Sequence, residues 1–324
     1  MQIQQAFDLI KDDIKRVEEG FRSHLDSSVF LINKVVEYIL SSGGKRFRPL
    51  LLILASRLGG YRGDAHIPLC CVIEFIHTAT LLHDDVVDNA ELRRGAASAN
   101  TIWGNGASVL VGDYLLSKAF YLAVAHNDIR ILDVLSNTTT LMAEGEVLQL
   151  LKHADADATE EDYMDVVTKK TAVLFSAACQ VAAILGGQSR RKEEELAAFG
   201  MEIGIAYQLA DDCLDYISRD EALGKSIGND LKEGKVTLPL IKALTEADDD
   251  ERAIMRRAIE EDGLEEGELQ QVLALINKYD GIGYTMTRAR ALVESAKRRL
   301  DCFEPTPEKA ALLAVADYVI SRSH

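Results

Sequence analysis

Apolar residues recur at intervals of three and four along nearly the whole chain, as in Phe7, Ile10, Ile14 and Val17, and again in Val29, Ile32, Val35, Val36 and Ile39. That spacing is the period of a helix with one buried face, and no convincing alternating run argues for a strand. The pattern predicts a second helix ending at Gly43-Gly44 and a long helix with Pro68 in its first turn, running to about Asn89. After a break at Gly104 to Gly106, helices are predicted at about 107–126, 128–152, 159–187 and 192–218. The segment GKSIGNDLKEGK (224–235) reads as a loop. Shorter, charge-rich helices follow at 236–246, 250–261, 265–279, 281–300 and 307–321.

Composition sharpens the fold class. The chain has 324 residues and 5 prolines, and 170 consecutive residues between Pro68 and Pro239 contain none, which suits long helices far better than short strands and turns. No Pro/Ser/Gly-rich stretch reads as a linker, so the expectation is an all-α fold in a single domain over 1–324. The net charge of −16 gives no basic footprint for nucleic acid. Any anionic ligand must meet a local basic cluster or a metal. Five cysteines without Cys-x-x-Cys spacing read as reduced, buried thiols of a cytoplasmic protein. No signal peptide is visible, and no uninterrupted apolar run approaches ~18 residues, so no membrane span is expected.

Two aspartate clusters carry the chemistry. DDVVD places Asp84, Asp85 and Asp88 at the end of one apolar helical run, and DDCLD places Asp211, Asp212 and Asp215 at the end of another. Asp is 27 of 324 residues, so chance predicts about 0.2 copies of this spacing in a shuffled chain. Residues four apart share a helix face, which pairs Asp84 with Asp88 and Asp211 with Asp215. Carboxylates stacked at a helix C-terminus oppose the macrodipole and ask for a cation. Mg²⁺ is the natural candidate, because one or two carboxylates plus substrate phosphates commonly hold it.

A metal held in this way calls for a phosphate ligand. GGKRFRP sets Lys45, Arg46 and Arg48 after a double glycine, ELRRG sets Arg93 and Arg94 just beyond Asp88, and KKT sets Lys169, Lys170 and Thr171 before an apolar run. Lys225 and Lys235 flank the glycine-rich loop. Guanidinium forks suit phosphate oxygens. His77 lies about two helical turns before Asp84 and Gln208 three residues before Asp211. Trp103 and the six methionines read as core. Glu144, Glu146 and Gln149 fall in an apolar stretch and could face a cavity.

In their order along the chain, GGKRFRP, EFIHTATLLHDDVVDNAELRRG, KKT, GIAYQLADDCLDY and GKSIGNDLKEGKVTLPLI resemble the trans-isoprenyl diphosphate synthase (polyprenyl synthetase) family, and most of all its bacterial long-chain members. The resemblance implies an all-α bundle around a deep central cavity, a homodimer, and the head-to-tail condensation of an allylic diphosphate with isopentenyl diphosphate. Carried over by position, it implies Mg²⁺ ligands at Asp84, Asp88 and Asp211, with up to three ions per site and Mn²⁺ able to substitute. Asp85, Asp212 and Asp215 support them. Arg93, Lys170, Thr171, Gln208, Lys225 and Lys235 would contact the allylic diphosphate, and Lys45, Arg48, His77 and Arg94 isopentenyl diphosphate. Ala97 stands where family members commonly have proline.

The resemblance also implies a route for the growing chain down the helix before Asp84, whose three- and four-residue stripe carries Val72, Ile76 and Ala79. Members that stop early tend to carry a bulky aromatic near Ala79. This chain has Ala79 followed by Thr80, so a product near forty carbons, suited to a quinone side chain, is expected. The competing readings are a short-chain farnesyl or geranylgeranyl diphosphate synthase, a terpene cyclase, and a non-catalytic subunit of a heteromeric synthase. The second full aspartate cluster opposes the cyclase, and the intact motifs oppose the non-catalytic subunit.

Overall fold

The computed structural model describes residues 1–41, 43, 46–217, 227–261 and 265–321, and among them the chain is almost wholly helical. The elements are α1 Ile3–Leu9, α2 Lys11–His24, α3 Phe30–Ser41, α4 Phe47–Leu58 and α5 His66–Val87, then the strands β1 Leu92–Arg93 and β2 Ala96–Ala97. Next come α6 Ala99–Trp103, α7 Asn105–Ala125, α8 Ile129–Leu151, α9 Glu160–Val167, a π-helical turn Thr168–Ala172, α10 Val173–Leu185 and α11 Arg190–Ile217. The chain closes with α12 Asn229–Lys232, α13 Leu238–Glu246, α14 Asp249–Glu260, α15 Glu266–Lys278, α16 Gly281–Arg299 and α17 Pro307–Ser321.

The boundaries follow local chemistry. Thr159 caps α9 reciprocally: its hydroxyl accepts from the Asp162 amide at 3.1 Å, and the Asp162 carboxylate accepts from the Thr159 amide at 3.0 Å. Asp248 caps α14 by accepting from the Glu251 amide at 3.0 Å, with three acids in that first turn. Helix α5 ends one residue before Asp88, and Asn89 follows in the left-handed region at φ 49°.

The chain divides into two compact units. The first comprises Met1–Thr139, Leu174–Gly200 and Arg299–Val315. Its core centres on α4, whose residues Leu50 to Ala55 are all fully buried, and on α5, with Ile73 and Phe75. Helix α5 packs against α2, α4 and, most extensively, α7. The second unit comprises Thr140–Val173, Met201–Arg298 and Ala316–His324. Leu240, Leu244, Met255, Leu269, Val272 and Ile276 form its core, with Tyr216 and Leu231 beside them. Gly281 is required there, because a Cβ would lie 2.2 Å from the Pro239 carbonyl oxygen.

Three expectations need correction. A two-residue antiparallel hairpin exists where no strand was expected, Leu92 pairing with Ala97 and Arg93 with Ala96. It is too short to show alternation, and Arg94 and Gly95 at φ 55° and 77° make its turn. Ala97 belongs to this hairpin, and its carbonyl accepts from the Tyr38 hydroxyl at 2.7 Å. The loop at 224–235 contains the short helix α12. Finally, three helical stretches are long and apolar enough to cross a membrane by length and composition: His66–Val87, Asn105–Ala125 and Glu160–Leu185. Uninterrupted runs underestimate them, since scattered polar residues leave the average high. Inside the protein 72% of the first window and 67% of the third are buried, against 39% for α7.

Candidate active site

In the first unit, the basic segment GGKRFRP forms the entry to α4. Gly43 has φ 72° and Arg46, the N-cap of α4, φ 47°. Lys45 lies outside the described residues, as does Lys225. Arg48 occupies the first turn of α4 with its guanidinium 4.5 Å from the centre of the Phe175 ring. The Arg94 guanidinium donates to the Gly43 carbonyl, so the hairpin after Asp88 is tied to the same segment. His77 stands on α5 near these cations. Burial, then the charges of Arg48, Arg94, Arg93 and Arg46, hold its imidazole well below the usual histidine range. It is therefore neutral at pH 7, with Arg48 and Arg94 the largest charges acting on it.

At the end of α5 the three aspartates are not equivalent. Asp85 is 3% exposed, and Arg93 donates to it from Nε at 2.8 Å and again from the guanidinium tip. Burial raises the Asp85 pKa, Arg93 opposes this, and Asp84 and Asp88 add to the rise. Asp84 and Asp88 are half-exposed. The preceding residue, His83, fills a notch in α7: a Cβ on Gly112 would lie 2.3 Å from its Nε2, which is 3.2 Å from the Val109 carbonyl.

Val72, Ile76 and Ala79 are each 1% exposed, and the Thr80 hydroxyl donates to the His77 carbonyl at 2.9 Å. His83 continues the stripe of Val72, Ile76 and Ala79 at helical spacing, so the stripe is turned toward α7. Asp84 sits at least about 80° and Asp88 at least about 120° away around the helix.

In the second unit, α11 presents Asp211 and Asp215 half-exposed while Asp212 is 3% exposed. Asp212 accepts from the Tyr163 hydroxyl on α9 and, at 2.7 Å, from the Gln208 amide. The Thr171 hydroxyl donates to Gln208 Oε1 at 3.1 Å. The π-helical turn is thereby linked through Gln208 to the aspartate cluster. Burial pushes Asp212 up to about 7, with Asp211 and Asp215 contributing and Tyr163 and Gln208 opposing. Asp215 accepts from the Asp230 amide at 3.1 Å. Burial, then Asp212 and Asp215, drive the Asp230 carboxyl well above its usual range.

Lys170 lies in the π-helical turn, a distortion frequent at functional positions. Its ammonium donates to Glu146 Oε2 at 2.6 Å, whereas Lys169 reaches Asp165 at 3.2 Å and Glu144 at 3.5 Å. Gly145 permits the close approach, since a Cβ there would meet the Lys170 amide nitrogen at 2.6 Å. Lys235 pairs with Glu233 at 2.7 Å, and its amide donates to the Asp230 carbonyl at 2.8 Å.

Among the described residues no three His, Cys, Asp or Glu side chains converge as a ready metal cage. The donor set nevertheless fits Mg²⁺, which takes a few carboxylates and completes its shell with waters and phosphates. Burial is the main cause that raises Asp212 and Asp230, and the neighbouring carboxylates add to it; a cation would relieve that added repulsion. Sequence spacing missed Tyr163, 49 residues from its partner Asp212, and Glu74, which pairs with Arg46. Asp230 was missed as well, although it stands inside the glycine-rich segment GNDLKEGK.

A family model described as "Polyprenyl synthetase" matches residues 29–276, and with the all-α fold it defines the class of the protein as a prenyltransferase. The chain is 42% identical over 322 residues to octaprenyl diphosphate synthase of Escherichia coli (strain K12), covering 99% of each. The structure matches the crystal structure of a decaprenyl diphosphate synthase from Rhodobacter capsulatus with a TM-score of 0.94 at 39% identity, covering 98% of both chains. It also matches that of a polyprenyl synthase from Caulobacter crescentus CB15 complexed with calcium and isoprenyl diphosphate, with a TM-score of 0.95 at 38% identity, covering 99% of this chain and 98% of that one. The chain belongs to the polyprenyl synthetase family, as its motifs suggested.

Proposed function

We propose that the protein extends an allylic diphosphate, such as farnesyl diphosphate, with isopentenyl diphosphate units to an all-trans product near forty carbons. The feature that carries the length is the small Ala79 five residues before Asp84, where the resemblance implies a bulky aromatic in members that stop early. The octaprenyl and decaprenyl products in the relatives' names support the same reading. A quinone side chain is the use proposed for such a product, and the cytoplasm the proposed compartment.

In each cycle the allylic C–O bond breaks, leaving a carbocation and a diphosphate. The double-bond electrons of isopentenyl diphosphate then form the new C–C bond, and a proton leaves the adjacent carbon, with the released diphosphate as the available base. Mg²⁺, proposed at Asp84, Asp88 and Asp211 with up to three ions and replaceable by Mn²⁺, supplies positive charge to the departing diphosphate. Arg93, Lys170, Thr171, Gln208, Lys225 and Lys235 bind and orient the allylic diphosphate; Lys45, Arg48, His77 and Arg94 bind isopentenyl diphosphate. Asp85 orients Arg93, while Asp212 and Asp215 hold the second cluster in place. A neutral His77 donates a hydrogen bond without adding charge beside four arginines. Apolar surroundings would have to exclude water from the cation, which water would otherwise quench.

A homodimer is part of this reading. Leu110, Tyr121 and Val124 on one face of α7 are 68%, 69% and 58% exposed, an apolar stripe that a second copy would cover. Incubation with farnesyl diphosphate, labelled isopentenyl diphosphate and Mg²⁺, with products resolved by length, tests the function. Products near forty carbons are expected; a stop at fifteen or twenty would replace this reading with that of a short-chain synthase.

A further inference from the structure

Among the described residues, the basic segment at the entry to α4 carries Arg46 and Arg48, and Arg46 is the one that faces a buried carboxylate. Its Nη1 donates to Glu74 Oε2 at 3.1 Å, with side-chain exposures of 17% and 8%. Its guanidinium also lies 4.9 Å from the centre of the Phe21 ring on α2, which packs against Phe75 at 5.8 Å. Arg46 adopts φ 47° and ψ 34°, a conformation uncommon outside glycine. It nonetheless caps α4, its carbonyl accepting from the Leu50 amide at 3.0 Å. Such strain persists only where surrounding contacts over-determine it.

Glu74 needs an equal explanation, since a carboxylate this buried is rare unless paired. It occupies the side of α5 that faces α2 and α4. On that side Cys70 contacts the Pro49 carbonyl at 3.8 Å and Cys71 the Val17 carbonyl at 3.8 Å. His77 lies one turn further along the same side of α5, and Arg48 lies two residues beyond Arg46. The pair thus fastens the start of α4 to α5 at the level where Arg48 and His77 are brought together.

We propose that Arg46 and Glu74 are positioning residues for the isopentenyl diphosphate pocket: the buried pair holds the entry of α4 in its left-handed turn, so that Arg48 and His77 meet the same anion. This rests on the reading of Arg48 as an isopentenyl diphosphate contact. Neither Arg46 nor Glu74 touches substrate. A guanidinium suits the role because its planar fork can hold a carboxylate while its face stacks on a ring.

Steady-state kinetics with each substrate varied separately test the proposal, using Arg46→Gly, Arg46→Lys, Glu74→Gln and, as reference, Arg48→Ala. Arg46→Gly accommodates the left-handed turn but removes the anchor. It should raise KM for isopentenyl diphosphate about ten-fold while leaving kcat and the allylic KM within about two-fold. Arg46→Lys keeps the charge but loses the planar stack on Phe21, and should recover only part of that loss. Glu74→Gln keeps shape and one acceptor, should raise the same KM about three- to ten-fold, and decides the matter if Arg46→Gly does not fold. Thermal melting followed by circular dichroism accompanies each variant. Equal changes in both KM values, or a lowered melting temperature with unchanged KM values, would overturn the positioning role. If Arg48→Ala leaves KM for isopentenyl diphosphate unchanged, the pocket assignment fails first and this proposal with it. If Arg48→Ala raises it while neither Arg46→Gly nor Glu74→Gln does, only the positioning role falls.

Discussion

Gly145→Ala isolates the part played by backbone shape in presenting Lys170. At an open helical position this change stabilises by about 0.5–1 kcal/mol, because alanine loses less freedom on folding. Here the added Cβ would lie 2.6 Å from the Lys170 amide nitrogen and 2.9 Å from the Lys169 carbonyl carbon. Both atoms are backbone, so no side chain can swing aside. To reach ordinary contact near 3.4 Å, α8 and the π-helical turn must part by about 0.8 Å. Overpacking of this kind costs about 1–3 kcal/mol, so the propensity gain is overturned and a net loss of about 1–2 kcal/mol is expected. A displacement approaching 1 Å at a binding group costs up to about 100-fold. The allylic kcat/KM, measured at saturating isopentenyl diphosphate, should therefore fall about 10- to 100-fold, with a melting temperature lower by a few degrees. Gly267→Ala, at a helical position with nothing within 4 Å of the new Cβ, is the control: it should leave kcat/KM unchanged and hold or slightly raise the melting temperature. If Gly145→Ala melts normally and keeps its kcat/KM within two-fold, the shape of the π-helical turn is not what presents Lys170.

Asp84→Ala and Asp211→Ala should each lower turnover by orders of magnitude with helical content intact; undiminished incorporation of labelled isopentenyl diphosphate in excess chelator would remove the metal from the mechanism. Lys170→Ala should weaken the allylic substrate and Arg48→Ala isopentenyl diphosphate, and identical effects on both substrates would refute the division of the clamps. Burial depresses the His77 pKa below its unfolded value of 6.5, so the unfolded chain binds the extra proton first. Its stabilising contribution is present above pH 6.5 and is lost as pH falls through that value toward the folded pKa. His77→Gln should flatten that part of the melting profile, and an unchanged acid limb would show that other groups set it. Ala79→Tyr should shorten products to about fifteen or twenty carbons, resolved after dephosphorylation, whereas an unchanged long distribution would move the stop elsewhere.

Helical periodicity and the 170-residue stretch without proline sufficed for the all-α class and for most helix spans, because a buried helical face imposes its period on any sequence that folds this way. The predicted spans 107–126 and 128–152 became Asn105–Ala125 and Ile129–Leu151, the remaining differences lying in caps and turns. The doubled aspartate spacing was equally legible, since i and i+4 share a face wherever the helix sits. What spacing could not rank was the carboxylates within each cluster. Asp85 and Asp212 are the enclosed members because Arg93 folds back through a two-residue hairpin and Tyr163 arrives from 49 residues away. Nor could it separate Arg46 from Arg48, two cations two residues apart, one directed at Glu74 and the other at Phe175. Periodicity is a property of one helix and is written into its own residues. The partner of a buried charge is decided by which other helix packs against it, and only the tertiary structure makes that choice.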